Sequence, residues 1–299
     1  MSLPKYAVVI PAHDAEGTIE KCLNSVLDQT VPASQIIVVS DSCTDKTNRI
    51  LNTFAQSKLL VLNVNFRNSA QSRNFGVDAA EHDFIAFLDA DDTWFPTKIE
   101  KQLLAIQSSN QDIIIGTDSI FLNIFGTFVG RNVRTRNDEE AMQILRNGIA
   151  MPTLLSTWLL PRKTFQRLGG FDTKFPMSED FEFANRAIRS GTSLAIIREP
   201  LSTYLLHSSS KTAKYKLKQA RVADYVRLVS QASIDCSVEE FLSRRSSIFE
   251  RRDAVVDIQI RKFLMFARES KFRKNYFRLI LALILNPIKL LKKYKSQRK

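Results

Sequence analysis

A regular alternation of short apolar runs and longer amphipathic segments constrains the fold of this chain more than any other feature. Four apolar runs lie between residues 6 and 88: "YAVVI", "IIVVS", "LLVLNV" and "FIAFL". The segments between them predict helices near Thr18–Gln29, Thr44–Gln56 and Ala70–Ala80. Continuous apolar strands joined by helix-length crossovers indicate an α/β protein with a mainly parallel sheet covered on both faces.

Polar residues follow three of these strands at the point where each one ends. The first strand is followed by "PAHDAEG", the second by "DSCTD" and the fourth by "DADD". The carboxyl ends of parallel strands meet at one edge of a sheet, and ligands bind in the crevice outside that edge. The sequence therefore predicts one site built from three distant segments.

Composition limits the classes of protein to consider. The 299 residues are 44% apolar, which allows a sizeable core, and Lys and Arg outnumber Asp and Glu by 43 to 31. The net charge of +12 predicts a surface that attracts phosphorylated ligands or acidic lipids. Cys22, Cys43 and Cys236 show no CxxC spacing, so we expect neither a disulfide framework nor structural zinc, and a cytoplasmic location fits best. No apolar run predicts a transmembrane helix or a secretory signal.

The "DADD" segment places Asp89, Asp91 and Asp92 on four consecutive positions. Neighbouring carboxylates repel one another unless a cation or hydrogen-bond donors offset their charge. A divalent metal would supply that offset. Alternatively, Asp91 and Asp92 only cap the next helix, since Asp favours helix N-termini.

Six segments in order resemble one known family. No P-loop motif is present and no GxGxxG follows the first strand, which argues against the common nucleotide-binding folds. Instead "PAHDAEG", "VVSDSCTDKT", "SAQSRNFGVDAA", "FLDADDTWFP", "GGFD" and "SEDFEF" together resemble the family 2 glycosyltransferases. The resemblance covers about Tyr6 to His207. It implies a Rossmann-like GT-A catalytic domain over residues 1–210, and we expect a helical extension over residues 211–299.

The resemblance also implies the donor-binding residues. The first loop would contact the nucleotide base through Pro11, Ala12, His13 and Glu16. Asp41 matches an aspartate that contacts the base, although Ser40 stands where the family usually has another aspartate. Arg73 matches an arginine near the diphosphate, and Asp89 an aspartate near the ribose. An ordinary surface position remains the alternative for Arg73.

The remaining matches concern the metal and the reaction. Asp91 would bind Mn²⁺ or Mg²⁺, and His207 matches a histidine near the metal or diphosphate, although a lone histidine at a strand end is more often structural. Asp180 matches the general base, beside Glu179 and the acceptor-side Gly170. Alternatively, Ser178 and the two acids form only a helix-capping box.

The resemblance therefore implies a metal-dependent, inverting, hexosyl-type glycosyltransferase. The expected donor is a nucleotide sugar, with a UDP-sugar favoured, and the acceptor is a hydroxyl of a glycan or lipid-linked glycan of a surface polysaccharide. One alternative is a haloacid-dehalogenase-type phosphohydrolase with Asp89 as nucleophile, although three βα units precede the motif here. Another is a basic membrane- or nucleic-acid-binding module. We expect no nucleic acid partner, because no stacking aromatics interleave the basic residues.

The C-terminal end joins an apolar stretch, Leu279–Leu285, to a region from Pro287 onward that has six cations and no acid. Such an amphipathic tail can lie in a membrane interface, with Lys and Arg on anionic lipid. The sequence therefore predicts peripheral contact with the inner face of the cell membrane. A helix packed on the core, with a solvated basic end, is the alternative.

Overall fold

The computed structural model describes residues 3–54, 58–109, 112–132, 135–207, 210, 215–232 and 236–243. The strands are β1 Tyr6–Ala12, β2 Gln35–Asp41, β3 Leu59–Val64, β4 Phe84–Phe87, β5 Thr93–Trp94, β6 Ile113–Asn123, β7 Phe128–Arg131, β8 Leu159–Pro161 and β9 Ser193–Leu206. The helices are α1 Ile19–Leu27, α2 Thr47–Leu51, α3 Ser69–Asp78, α4 Lys98–Gln107, α5 Asp138–Arg146, α6 Arg162–Arg167, α7 Glu179–Arg189, α8 Lys216–Ser230 and α9 Val238–Ser243, with a 3-10 turn at Leu155–Thr157.

All these strands form one sheet in the order β3-β2-β1-β4-β8-β6-β9-β5, and β7 pairs with β6. The half that contains β3, β2, β1 and β4 is parallel, as the periodicity predicts. The other half is mixed, because β8 runs antiparallel to both β4 and β6 while β9 is parallel to β6. The apolar content of β8 and β6 indicated strands but not their direction.

The apolar segments "SLAIIR" and "LSTYLL" belong to one long strand, β9, which ends at Leu206. It pairs with β6 from Ile113 opposite Ser193 to Asn123 opposite Leu206. The register shifts around Asp118, which is where Pro200 enters the pairing. A bulge of this kind accommodates a proline, which has no amide hydrogen for the ladder.

Both faces of β1, β2 and β4 are buried, which explains their unbroken apolar runs. In β1, Ala7 and Val9 face one core cluster, while Val8 and Ile10 face the other. The first cluster includes residues of α3, α5 and α7, and the second includes residues of α1 and α4. Strands covered by helices on both sides have no solvent face and so show no polar alternation.

The two described helices after residue 210 pack on the same core. Val222 and Val226 of α8 are buried in the first cluster, and Ser230 Oγ donates to Asn185 Oδ1 of α7 at 3.0 Å. The boundary at residue 210 stays a prediction. The basic tail, with Leu279–Leu285 and the region after Pro287, lies outside the described residues.

None of the helices within the described ranges has the length and apolarity needed to cross a membrane.

Helix α3 packs so closely on the sheet that Gly76 has no room for a side chain. A Cβ there would lie 2.6 Å from Val9 Cγ1 and 3.1 Å from Val39 Cγ2. We expect Gly76→Ala to lower the free energy of unfolding by about 1–3 kcal/mol through overpacking, partly offset by alanine's better helix propensity. Urea denaturation measures this change. Gly17→Ala is the control, since nothing lies within 4 Å of its Cβ position, and equal effects would contradict the packing argument.

Candidate active site

The carboxyl ends of β1, β2, β4 and β9 lie at one edge of the sheet, and we call the site at this edge the crevice. Directly after β4, the DADD loop (Asp89 to Asp92) meets β9 through the pairing of Thr93 with Thr203 and of Trp94 with Ser202. This contact places the DADD loop beside His207, which follows β9. The structure thus brings together residues separated by more than a hundred positions.

Asp91 and His207, the two predicted metal ligands, are in direct contact. Asp91 Oδ2 lies 2.7 Å from His207 Nε2, and both side chains are partly exposed. A carboxylate oxygen suits Mn²⁺ or Mg²⁺, and imidazole nitrogen is a common ligand of transition ions. The pair therefore fits one edge of a divalent cation, whose other ligands would be phosphate and water.

Asp92 neither caps the next helix nor faces the crevice. Helix α4 begins at Lys98, with Thr97 at its N-cap. The buried carboxylate of Asp92 instead accepts from Ser156 Oγ at 2.6 Å and from the Leu205 amide at 3.2 Å. Burial, together with the charges of Asp91 and Asp89, raises its pKa well above the ordinary value. Asp92 therefore ties the DADD loop to the end of β9.

Arg73 is buried between the DADD loop and α7 and pairs with two acids. Its Nη2 donates to Asp89 Oδ1 at 2.6 Å and its Nη1 to Glu179 Oε1 at 2.5 Å. Burial lowers the pKa of the guanidinium, but the two carboxylates outweigh that effect and raise it overall. Only 6% of Arg73 is exposed, so the surface alternative is wrong. Its contact with a diphosphate stays a prediction.

Glu179 and Asp180 open α7 after a residue in an unusual conformation. Ser178 occupies the N-cap position with a φ of 58° and makes no side-chain capping bond. A left-handed serine costs energy and persists where the surroundings fix it, as around functional sites. Ser178 therefore does not form the capping box, and Glu179 Oε1 instead accepts from Ser69 Oγ at 2.6 Å.

The pKa of Asp180 is raised to about 6. Burial is the largest cause, and the charge of Glu179 adds to it, whereas the charge of Arg73 and a 2.8 Å hydrogen bond from the Phe181 amide act in the opposite direction. A carboxylate with this pKa is ionised at neutral pH and is a better base than an ordinary aspartate. These properties suit the role predicted for Asp180.

Asp41 lies buried at the end of β2, and four donors contact its carboxylate. The amides of Arg67 and Asn68 donate to it at 2.7 and 3.0 Å, and the hydroxyls of Ser42 and Ser72 at 2.9 and 2.8 Å. Burial acts to raise its pKa, but these hydrogen bonds lower it overall. Asp41 thus fixes the start of α3. Its contact with the base of a nucleotide stays a prediction.

The first loop, from Pro11 to Glu16, is held by the loop that follows β2. His13 Nδ1 lies 2.7 Å from the Asp41 carbonyl oxygen, and Glu16 Oε2 accepts from the Lys46 amide at 3.0 Å. Pro11 and Ala12 end β1 in register with Val39 and Ser40 of β2. The imidazole of His13 is more than half exposed, which leaves a face available to a ligand.

Gly170, predicted to lie on the acceptor side, is adjacent to Asn74 of α3. Its φ is +70°, and a Cβ there would lie 2.8 Å from Asn74 Oδ1. Asn74 holds this turn by accepting from the Phe171 amide at 2.9 Å and donating to the Phe171 carbonyl at 2.8 Å. The turn and Arg186 line a shallow pocket of 430 Å³. Glycine is thus required here both by conformation and by space.

Comparison with known proteins agrees with this geometry. A sequence model of Glycosyl transferase family 2 matches residues 7–169, more than half of the chain. This chain belongs to glycosyltransferase family 2.

Two curated relatives of this family 2 glycosyltransferase come from enterobacteria. Escherichia coli WfgD, a UDP-Glc:alpha-D-GlcNAc-diphosphoundecaprenol beta-1,3-glucosyltransferase, is 33% identical over 134 residues, which are 44% of this chain and 53% of WfgD. Erwinia amylovora AmsB, an amylovoran biosynthesis glycosyltransferase, is 28% identical over 210 residues, 67% of this chain and 69% of AmsB. The match thus spans about half the length of WfgD.

The fold matches solved structures of S. aureus TarS. The complexes of TarS 1-349 with UDP and with UDP-GlcNAc each superpose with a TM-score of 0.61 at 19% identity, over 94% of this chain and 91% of TarS 1-349. The predicted family and GT-A fold are confirmed.

A second group of possible metal ligands lies in the loops after β1 and β2. Ligand atoms of Asp14, Cys43 and Asp45 lie within 4.8 Å of one another. The two carboxylates already accept backbone hydrogen bonds, from the amides of Thr44 at 2.7 Å and Thr47 at 2.9 Å. A thiol also suits Mn²⁺ or Mg²⁺ poorly. The site at Asp91 and His207 remains the better candidate in this family 2 glycosyltransferase.

Sequence reasoning missed the residues that support the site. Ser156 binds Asp92 and also accepts from the Asp89 amide at 3.2 Å, while Asn68 Nδ2 donates to the Thr173 carbonyl at 3.0 Å. The density of polar residues in "NSAQSRN" at the start of a buried helix was a usable signal. No comparable signal marked Ser156, because its partners are more than sixty positions away.

Removing the Arg73 charge should leave Asp89 and Glu179 without their buried partner. We expect Arg73→Met to lower the free energy of unfolding by about 3–5 kcal/mol, and Arg73→Lys by less, because lysine keeps the charge but not the two-pronged geometry. The control is Arg167→Met, which removes an exposed pair with Asp112 and should cost about 0–1 kcal/mol. Urea denaturation compares them, and a loss as small as that of the control would contradict the bridging role.

Proposed function

We propose that this protein is an inverting glycosyltransferase that moves a sugar from a nucleoside-diphosphate donor to a hydroxyl of a glycan or lipid-linked glycan. One observation carries the proposal. The guanidinium of Arg73 joins Asp89 of the DADD loop to Glu179, and Glu179 adjoins Asp180 at the start of α7. The residues assigned to the donor and the residue assigned to the base therefore share one crevice.

Asp180 is the proposed general base. Its carboxylate takes the proton of the acceptor hydroxyl while that oxygen attacks the anomeric carbon from the face opposite the nucleotide. A carbon–oxygen bond to the acceptor forms as the bond to the diphosphate breaks, so the nucleoside diphosphate leaves and the anomeric configuration inverts. The raised pKa of about 6 supports this role, since the group still ionises below neutral pH.

Asp91 and His207 would hold a divalent cation such as Mn²⁺ or Mg²⁺. When bound, such a cation offsets the negative charge that develops on the departing diphosphate. The 2.7 Å contact between the two side chains supports this assignment. We propose that the nucleotide base of the donor is surrounded by Asp41 and by the first loop (Pro11, Ala12, His13 and Glu16). Asp89 is proposed to contact the ribose of the nucleotide.

A UDP-sugar is the favoured donor. Two similar proteins support this choice, because WfgD is a UDP-Glc-dependent enzyme and TarS was solved with UDP and UDP-GlcNAc. WfgD also acts on a diphosphoundecaprenol-linked sugar, which supports a lipid-linked acceptor here. We place the reaction at the cytoplasmic side of a membrane, with the basic tail as one proposed contact.

The phosphohydrolase alternative finds no support. It requires Asp89 to act as a nucleophile, yet the Asp89 carboxylate is paired with Arg73 at 2.6 Å. A carboxylate held by a guanidinium is a poor nucleophile, because the ion pair stabilises its charge. Membership of glycosyltransferase family 2 also favours transfer.

Replacement of Asp180 by asparagine should remove the base and keep the shape of the site. We expect Asp180→Asn to lower kcat by about 10²–10⁴-fold with UDP affinity unchanged. In the wild type, kcat should fall about tenfold per pH unit below pH 6, because only the carboxylate accepts the proton. Initial rates across pH, with Asp112→Asn as the matched control, measure both effects. Full activity in Asp180→Asn would refute the assignment.

The same variant has a stability signature. A carboxyl whose pKa is raised in the folded state destabilises that state once it ionises, so its penalty grows as pH rises from 3.8 through about 6. Asp180→Asn should therefore be more stable than the wild type at alkaline pH and lose this advantage in acid. Urea denaturation of the variant and the wild type, in alkaline and in acidic buffer, measures the sign of this difference in the free energy of unfolding.

Binding of UDP should depend on Mn²⁺ and on Asp91. We expect calorimetry to show UDP affinity rising with Mn²⁺ in the wild type and losing that dependence in Asp91→Ala, because the variant lacks the carboxylate ligand. Cys43→Ala tests the other ligand cluster. If the Mn²⁺ dependence of UDP affinity is lost in Cys43→Ala and kept in Asp91→Ala, the cation binds at Asp14, Cys43 and Asp45 instead.

A further inference from the structure

The turn between β6 and β7 displays three large apolar side chains to solvent. Ile124 is 48% exposed, Phe125 51% and Phe128 53%. We call these three residues the apolar tip. Single exposed apolar residues are common on soluble proteins, but three within residues 124–128 of one hairpin are typical of an interaction surface.

The turn that carries the apolar tip is firmly built. Asn123 is fully buried, and its Oδ1 accepts from the amides of Phe125 at 3.0 Å and Thr127 at 2.9 Å. The Gly126 amide donates to the Asn123 carbonyl at 2.9 Å, and the φ of Gly126 is +71°. The outward position of the apolar side chains is therefore fixed by the backbone of the turn.

The charge pattern around the apolar tip indicates a lipid surface. No charged residue occurs from Ser119 to Gly130, although 25% of the whole chain is charged. The next residue, Arg131, is exposed and pairs with Ile120. Arg131 lies three strand positions behind Phe128, or about 10 Å. Apolar groups at the acyl boundary with a cation at the level of lipid phosphates match the depth of an interfacial contact.

The apolar tip lies at the edge of the candidate active site. Asn123 pairs with Leu206, the residue before His207. The turn that carries the apolar tip therefore begins beside the end of β9, and His207, a proposed metal ligand, follows directly after β9. A surface that contacts the tip would also lie next to the crevice.

We propose that the apolar tip inserts into an anionic bilayer and holds the crevice at the lipid surface, where a lipid-linked acceptor presents its hydroxyl. This inference rests on the proposed function for the acceptor and adds a membrane contact separate from the basic tail. It requires contact between the bilayer and these three side chains in particular.

A tryptophan placed at the tip tests this contact directly. The full-length Phe125→Trp variant is mixed with vesicles of phosphatidylglycerol and phosphatidylcholine, and its fluorescence is compared with that of the wild type. Native Trp94 and Trp158 are 4% and 1% exposed, so their emission should stay constant. We expect a blue shift, and quenching by lipids brominated on their acyl chains, only for the introduced tryptophan.

The matched control is Leu104→Trp. Leu104 is 51% exposed on α4, a helix that contacts the opposite end of β6, where Gln102 Nε2 donates to the Ile115 carbonyl at 2.6 Å. This tryptophan should show no shift with vesicles. Since each tryptophan reports its own surroundings, membrane binding through the tail alone would leave the Phe125→Trp emission unshifted and overturn the proposal.

Other outcomes would also overturn it. If the emission of Phe125→Trp is already blue-shifted without vesicles and the shift grows with protein concentration, the tip contacts a second copy of the chain. If that shift does not depend on protein concentration, the tip contacts another segment of the same chain. Equal shifts in both variants would indicate general adsorption. UDP titration of Phe125→Trp tests the proposed function separately, since nucleotide binding needs no bilayer.

Discussion

The buried bridge from Asp89 through Arg73 to Glu179 is the interaction on which the crevice depends. Burying the charges of Arg73 and Glu179 costs several kcal/mol per ion before their attraction offsets it, while Asp89 stays partly exposed, so such a group is weak evidence of stability. The Nε of Arg73 is buried without a partner among the described residues, which adds to that cost. The benefit is positional, because one rigid guanidinium joins α3, the DADD loop and α7.

The acids around this bridge take different roles because each has different partners. Asp89 is paired with a guanidinium, and Asp92 is buried against a hydroxyl and an amide. Asp91 is partly exposed beside an imidazole, while Asp180 keeps a raised pKa beside Glu179. One residue type thus supplies a structural tie, a proposed metal ligand and a proposed base. Environment, rather than residue identity, separates the roles.

The sequence predicted those parts of the fold and site that depend on periodicity and strand direction. Once β1, β2 and β4 were recognised as parallel, their polar ends had to converge, which brought Asp41 and Asp89 to one edge. The capping role of Asp92 was wrong, because its partners Ser156 and Leu205 lie 64 and 113 positions away. The sequence pattern did not show that β9 is a single strand, because Arg198 and Pro200 interrupt its apolar residues at a bulge.

The long strand β9 connects the candidate active site to the apolar tip. Its end positions His207, its Leu205 amide holds Asp92, and its pairing with Asn123 fixes the root of the apolar tip. These links use backbone groups of β9, which do not depend on which side chains occupy the tip. Sequence changes at the tip or in the acceptor-side turn can therefore alter what the crevice faces without moving Asp91 and His207 apart. Such an arrangement would keep the proposed donor side fixed while the proposed acceptor side changes, which would allow one fold to serve many acceptors.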